Sequence, residues 1–311
     1  MSKNMQGDMF TQEEIVEFLQ KSWKIKDVLK RMKTDRKNLA DEIVIQILVN
    51  VPFQSITMVA ANQQDRNRPS YEEVKKRCTT GIGGLCYELN TFTWGVLKGV
   101  GFNAFLARST VTSTVTSPEN HAIVLISGLE QEGDLYLADC GTGFPIFRVV
   151  SLDFGEESPI FKDGFLEYKY VRHEGKILRM HGKGDMVKPN DPPIEGLDFF
   201  IGRWRRFYSF DTALKPADVV SNEHFNSTIH LTPFTSSPRA LWFPNKRAVV
   251  IANNKLIVEN EAGELVMTVL KSDEEILKAY QDHFPQLKQD EVQRALAEWH
   301  RVLKSKKTCN I

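Results

Sequence analysis

Thr79-Thr80-Gly81-Ile82-Gly83-Gly84-Leu85-Cys86-Tyr87-Glu88-Leu89-Asn90 is the most informative stretch of this chain. Three glycines in four positions let the backbone turn sharply. Leu85, Leu89, Phe92, Val96 and Val100 then recur at helical spacing, one apolar stripe that Gly99 and Gly101 bring to an end. Cys86 therefore falls in the first turn of a helix. Unpaired N–H groups and the positive end of the helix dipole gather there, and they favour thiolate over thiol.

Upstream of this stretch the chain reads helical. Thr11-Gln12-Glu13-Glu14 begins like a capping box, and Ile15, Phe18 and Leu19 follow at helical spacing. Leu39, Ile43, Ile47 and Leu48 repeat the pattern until Val51-Pro52 stops it. Residues 62–70 are polar and read as a loop. From Phe102 the pattern changes to short β-rich runs at 105–115, 121–126, 135–138, 165–172 and 177–180, separated by turn residues. That spacing predicts an antiparallel sheet or barrel. The last hundred residues mix types. A helix is expected over 217–225, and a hairpin over 248–252 and 256–259 around Asn253-Asn254-Lys255. Two further helices are expected, one from Ser272 through Tyr280 and one over 291–303. Helices, then strands, then a mixed piece make an α+β chain rather than a doubly wound sheet.

Composition narrows the function. At 311 residues the chain can bury a large core without staples. Hydrophobic residues make up 41% and charged residues 26%, which excludes a wholly disordered or collagen-like chain. Lys+Arg and Asp+Glu are both 40, so the basic surplus that nucleic-acid binding needs is missing. Cys78, Cys86, Cys140 and Cys309 match no zinc-ligand spacing and are too sparse for a disulfide scaffold, so no metal is expected. Residues 1–8 hold no apolar signal core, and no apolar run approaches the roughly 20 residues of a membrane span. The expectation is a cytoplasmic protein with neither nucleic-acid nor membrane partners.

Two residues join Cys86 as candidates. His121 opens the apolar run His121-Ala122-Ile123-Val124-Leu125-Ile126, at a strand end that can project a ring into a cleft. Asp139 closes Leu135-Tyr136-Leu137-Ala138 and precedes Cys140-Gly141-Thr142-Gly143, where it can accept the Nδ1–H of a histidine and fix its tautomer. Each has a plainer structural reading. Cys86 serves as a small buried hydrophobe, His121 as a satisfied structural histidine, and Asp139 as an Asx-turn bonding backbone two residues on. Taken together they read as a nucleophile, a base and an orienter.

These segments resemble the arylamine N-acetyltransferase family. Gly83-Gly84-Leu85-Cys86 with Glu88 and Asn90 is similar to its Arg-Gly-Gly-x-Cys signature. Val51-Pro52-Phe53-Gln54-Ser55-Ile56 resembles its Pro-Phe-Glu-Asn segment, and His121 and Asp139-Cys140-Gly141-Thr142-Gly143 match its His and Asp-x-Gly-Phe-Gly positions. Residues 270–277 and 284–287 look like its C-terminal helix. The chain departs from the pattern at Ile82, where the family usually has Arg (Arg77 lies five residues earlier), and at Thr142, where an aromatic residue commonly lines the acceptor pocket.

The resemblance implies a helical bundle over residues 1–101 carrying the nucleophile, a β-barrel over 102–210 carrying His121 and Asp139, and an α/β lid over 211–311. Its catalytic core would look like that of transglutaminases and papain-like proteases. It also implies an acetyl-CoA-dependent enzyme of xenobiotic metabolism. Acetyl would pass through a Cys86 thioester to an arylamine, a hydrazine or a related small amine. The cofactor would meet the polar stretch holding Ser227, Thr228, Thr235 and Ser236, with Arg203, Arg205 or Arg206 near the phosphates; the same stretch reads equally as a solvated loop. Two other functions fit the residues: a thiol hydrolase using the same trio, and a non-catalytic binding protein that kept the fold.

Overall fold

Helix α1 (Gln12–Lys21) starts where the sequence places it: Thr11 accepts from the Glu14 N–H, and the Glu14 carboxylate reaches back to the Thr11 N–H. The computed structural model describes residues 8–111, 118–187, 189–190, 192–195, 197–213 and 233–308. The helix expected over 217–225 lies outside them. Helices α2 (Val28–Thr34) and α3 (Arg36–Asn50) follow, and α3 buries Leu39, Ile43, Ile47 and Leu48. A short strand β1 (Phe53–Gln54) and helix α4 (Ile56–Ala60) come next.

Helix α5 (Tyr71–Thr79) is an element that the hydrophobic pattern does not reveal. Its signal is a second capping box, in which Ser70 and Glu73 bond reciprocally. Helix α6 (Cys86–Val100) is capped at its end by Gly101 at φ +116°. It is buried nearly all round, including the polar Glu88, Asn90, Thr91 and Thr93. Full burial of Phe92 alone contributes about 1.5–3 kcal/mol. The buried polar residues have a different purpose, since such groups must be hydrogen-bonded to be tolerated.

The β-rich part forms one curled antiparallel sheet. Its strands are β2 (Asn103–Val111), β3 (His121–Ser127), β4 (Leu135–Ala138), β5 (Val150–Ser151), β6 (Phe161–Asp163), β7 (Leu166–His173), β8 (Lys176–His181), β9 (Phe200–Ile201) and β10 (Trp204–Asp211). The order is β5-β4-β3-β2-β10-β8-β7-β6, with β9 on β10. Helix α6 packs on β2 and β3.

The second sheet runs β1-β11-β12-β13-β14, adding β11 (Arg239–Trp242), β12 (Val249–Ala252), β13 (Lys255–Glu259) and β14 (Leu265–Val269). The β12–β13 hairpin turns on two residues, Asn253 and Asn254; Lys255 already pairs with Ala252. Asn253 takes φ 55°, a left-handed conformation asparagine tolerates. Helices α7 (Asp273–His283), capped by Ser272, and α8 (Gln289–Thr308) complete the described chain. α7 packs on β12 and α8 on α4. The architecture is the expected α+β arrangement of helices, a curled antiparallel sheet and a C-terminal α/β layer. No described helix is long and apolar enough to cross a membrane.

Candidate active site

Glycine builds the turn before Cys86 because nothing larger fits. Gly83 takes φ +71°, and a Cβ there would stand 1.9 Å from the Pro52 carbonyl oxygen. Gly84 donates to that carbonyl at 3.3 Å, and its own carbonyl accepts from the Gln54 N–H at 2.8 Å. The Pro52–Gln54 segment thus lies directly along the turn and fixes the start of α6. Leu85 is the N-cap, and the Glu88 carboxylate accepts its N–H at 3.1 Å. Burial pushes the Glu88 carboxyl up, and Arg77, 3.4 Å away, partly offsets this. Arg77 therefore brings a guanidinium to this turn although Ile82 occupies the position before the glycine pair.

His121 sits at the start of β3, 3% exposed. Its Nε2 meets the two Asp139 carboxylate oxygens at 3.1 and 3.2 Å. The sequence reading assigned Nδ1 to this contact, and the structure reverses the ring. The β3–β4 register pairs Val124 with Ala138, so Asp139 reaches His121 diagonally and meets the ring nitrogen farther from the His main chain. Nδ1 is the nitrogen left for Cys86, which lies close enough to help raise the imidazole pKa. Burial opposes the charged imidazole, but the Asp139 carboxylate, the bond to it and the nearby Cys86 outweigh it and push its pKa up to about 10. Asp139 is fully buried; burial works against its charge, while His121, Arg179 and Asn90 hold its carboxyl below the usual carboxylate range.

Asp139 makes two kinds of contact. It meets the His121 ring nitrogen, and it also accepts the Gly141 N–H at 3.2 Å, an Asx-turn. Gly141 lies on the start of α6, where a Cβ would come within 2.9 Å of the Cys86 Cα. Thr142 accepts from the Phe144 N–H at 3.3 Å, and Phe144 is buried against His181 and Phe207.

Sequence reasoning left Asn90 without a role. It stands one helical turn after Cys86, fully buried. Its amide donates to the Ala122 carbonyl at 2.5 Å and to Asp139 at 2.8 Å, and its oxygen accepts the Cys140 N–H at 2.9 Å. One side chain thereby locks the strands carrying His121 and Asp139 to the helix carrying Cys86. The i, i+4 spacing from Cys86, on a face too polar for a core helix, is the signal that finds it. Asn90→Ala leaves a buried carbonyl and a buried N–H unpartnered. The expected loss is about 2–4 kcal/mol in urea unfolding. An unchanged unfolding midpoint would show that the clamp bears no energy.

The family model of N-acetyltransferases matches residues 38–292, most of the chain. The chain belongs to the arylamine N-acetyltransferase family. A probable arylamine N-acetyltransferase 2 of Dictyostelium discoideum is 22% identical over 259 residues, covering 80% of this chain and 84% of that protein. The arylamine N-acetyltransferase of Mycobacterium abscessus superposes with a TM-score of 0.67 at 16% identity, over 93% of this chain and 96% of that one. That of Mycobacterium marinum in complex with CoA gives 0.67 at 16%, over 93% and 99%.

In this family member, two of the suggested cofactor residues, Ser227 and Thr228, lie outside the described residues. Thr235 ends a short 3₁₀ turn and its carbonyl accepts from the buried Arg66 at 3.1 Å. Ser236 follows it, and the neighbouring Phe234 packs on Phe53 with ring centroids 5.5 Å apart. This brings Thr235 and Ser236 to the flank of the Pro52–Gln54 segment. Arg205 is committed to Asp185 at 2.7 Å and Arg203 to Glu167 at 3.0 Å. No cluster of three or more His, Cys, Asp or Glu is placed to hold a metal ion among the described residues.

Proposed function

We propose that this family member carries acetyl from acetyl-CoA to a small amine through a thioester on Cys86. The observation that supports it most is His121, buried, bonded through Nε2 to Asp139 and close enough to Cys86 for that residue to raise its pKa. The Cys86 thiolate attacks the acetyl-CoA carbonyl carbon. A C–S bond forms, the C–S bond to CoA breaks, and His121 gives the departing sulfur its proton. An incoming amine then attacks the thioester, its proton passes to His121, and the Cys86 thiolate is released. N–H groups in the first turn of α6, that of Tyr87 among them, suit the developing oxyanion. The CoA complex of the Mycobacterium marinum protein supports the choice of donor. Thr235 and Ser236 are assigned, with Ser227 and Thr228, to the cofactor side. The division at residues 1–101, 102–210 and 211–311 and a cytoplasmic setting belong to the same reading.

Acceptor choice follows from Thr142. Phe144 is buried against His181 and Phe207, and in this reading it takes no part in replacing the ring missing at 142. An aromatic pair is worth about 0.5–1.5 kcal/mol beyond its buried area, roughly two- to twelvefold in affinity. Flat arylamines should therefore gain less over hydrazines and aliphatic amines than an acceptor pocket with a ring would give them. Intact-mass measurement tests the central claim. Acetyl-CoA alone should add one acetyl group per chain, and an amine should remove it. A chain that stays unmodified by acetyl-CoA yet cleaves a peptide amide is a thiol hydrolase instead, and one that does neither is a binding protein.

A further inference from the structure

Arg179, on β8, is a fully buried cation with an unusual setting. Its guanidinium lies over the rings of Tyr168, Phe207 and Tyr208, 5.0, 5.4 and 5.7 Å from their centroids. Nη1 donates to Thr142 at 3.3 Å, while Nε and Nη2 have no hydrogen-bond partner among the described residues. No described carboxylate lies within ion-pairing distance of it, so it is not one half of a salt bridge. A buried charge without a compensating charge is costly. Thr142 lies three residues beyond Asp139, and Tyr208, which Arg179 covers, lies 5.6 Å from the His121 ring.

We infer that Arg179 is the buried countercharge of the Cys86–His121–Asp139 group, a positioning residue that sets the pH range over which the thiolate and the imidazolium coexist. The inference rests on the proposed roles of those three residues. With Cys86 and Asp139 negative and His121 positive, the group carries one net negative charge in a buried place, and Arg179 cancels it. The other titratable groups around Arg179 are neutral. Burial raises the hydroxyl pKa values of Tyr168, Tyr170 and Tyr208. Burial and then Arg179 itself press His181 down to about 4. Asp163, behind Tyr168, is paired with Arg148 at 2.5 Å. Among these groups the Asp139 side of the triad is where the guanidinium charge acts.

The sign follows directly. A positive charge favours the thiolate and opposes the imidazolium, so removing it raises the pH at which Cys86 ionises and the pH at which His121 loses its proton. Both limbs move alkaline. The pH dependence of iodoacetamide alkylation at Cys86, followed by peptide mapping, reads the lower limb without any acyl donor. In Arg179→Met and Arg179→Gln that midpoint should rise by about 0.5–2 pH units, with Arg179→Lys close to the wild type. Unmoved midpoints, or Met and Gln variants that no longer unfold cooperatively, would overturn the inference and make Arg179 a packing residue. Moved midpoints in a protein that acetyl-CoA cannot acetylate would uphold it and reject the proposed reaction.

Discussion

Replacing Cys86 with alanine or serine is expected to lower acetyl-transfer kcat/KM by on the order of 10⁴-fold or more, leaving the fold intact. The magnitude follows from how much depends on one sulfur. Cys86 alone among the described cysteines reaches the surface of the site; Cys78 and Cys140 are buried. Burial pushes the Cys140 thiol up to about 12 and the Cys78 thiol well above its ordinary value, so neither is a thiolate at neutral pH. Alanine removes the nucleophile, and serine offers an alkoxide precursor far too basic for His121 to ionise. Peptide mapping after incubation with acetyl-CoA should place the acetyl group on Cys86, and Cys78→Ala should keep most of the activity. An acetyl group found on another cysteine, or a Cys86→Ala enzyme with activity within tenfold of the parent, would reject the assignment.

Asp139→Asn should cost about 10³–10⁴-fold in kcat/KM for a different reason. Asparagine is nearly isosteric and can still accept from Asn90 and Gly141, so the turn survives. What changes is the histidine. The amide donates to Nε2, which drives the proton onto Nδ1, the nitrogen that must serve Cys86. The charge that raises the His121 pKa is also lost, so the imidazolium disappears at lower pH and the alkaline limb of activity moves acidward. Stability responds with a definite sign. The raised His121 contributes stability that is fully present below about pH 6.5, its unfolded value, and is lost as pH rises through about 10. The lowered Asp139 contributes stability present above its unfolded value and lost as pH falls through the depressed one. The variant should lose both contributions between these limits. Rate profiles and urea midpoints at pH 6 and pH 9 check this; an alkaline limb left in place would contradict the assignment.

The local features were legible in the sequence because their physics is local. A capping box at Thr11, an apolar stripe from Leu85 and a two-asparagine hairpin are decided within a few residues. The three side chains were legible as candidates, since each stands at the start of a helix, at the start of a strand or at a glycine turn. Their assembly was not legible. Asn90 bonds partners 32, 49 and 50 residues away, and no window around it shows that. Which histidine nitrogen meets Asp139 depends on a diagonal across β3 and β4, set by register. Arg179 lies in a run that gives no reason to bury a charge; the tyrosines and the acidic turn that receive it come from three other parts of the chain. The β14 strand escaped notice for the opposite reason, since Val266, Met267 and Val269 remain exposed and lack the half-buried alternation that marks a strand.

Strand β1 has a consequence for synthesis. Phe53 bridges to Gly84 on one side and pairs with Leu241 on the other, and Ser55 bonds the Ser237 carbonyl and the Arg239 N–H. The segment that props up the turn before Cys86 is thus held from behind by residues made some 185 positions later. A nascent chain released vectorially from the ribosome holds Cys86, His121 and Asp139 long before this backing arrives. Closing such a distant pair is slow and is completed only once its second half exists. The setting of Cys86 is in this sense a late product of translation: the turn before it gains its backing only after about three quarters of these 311 residues have been made.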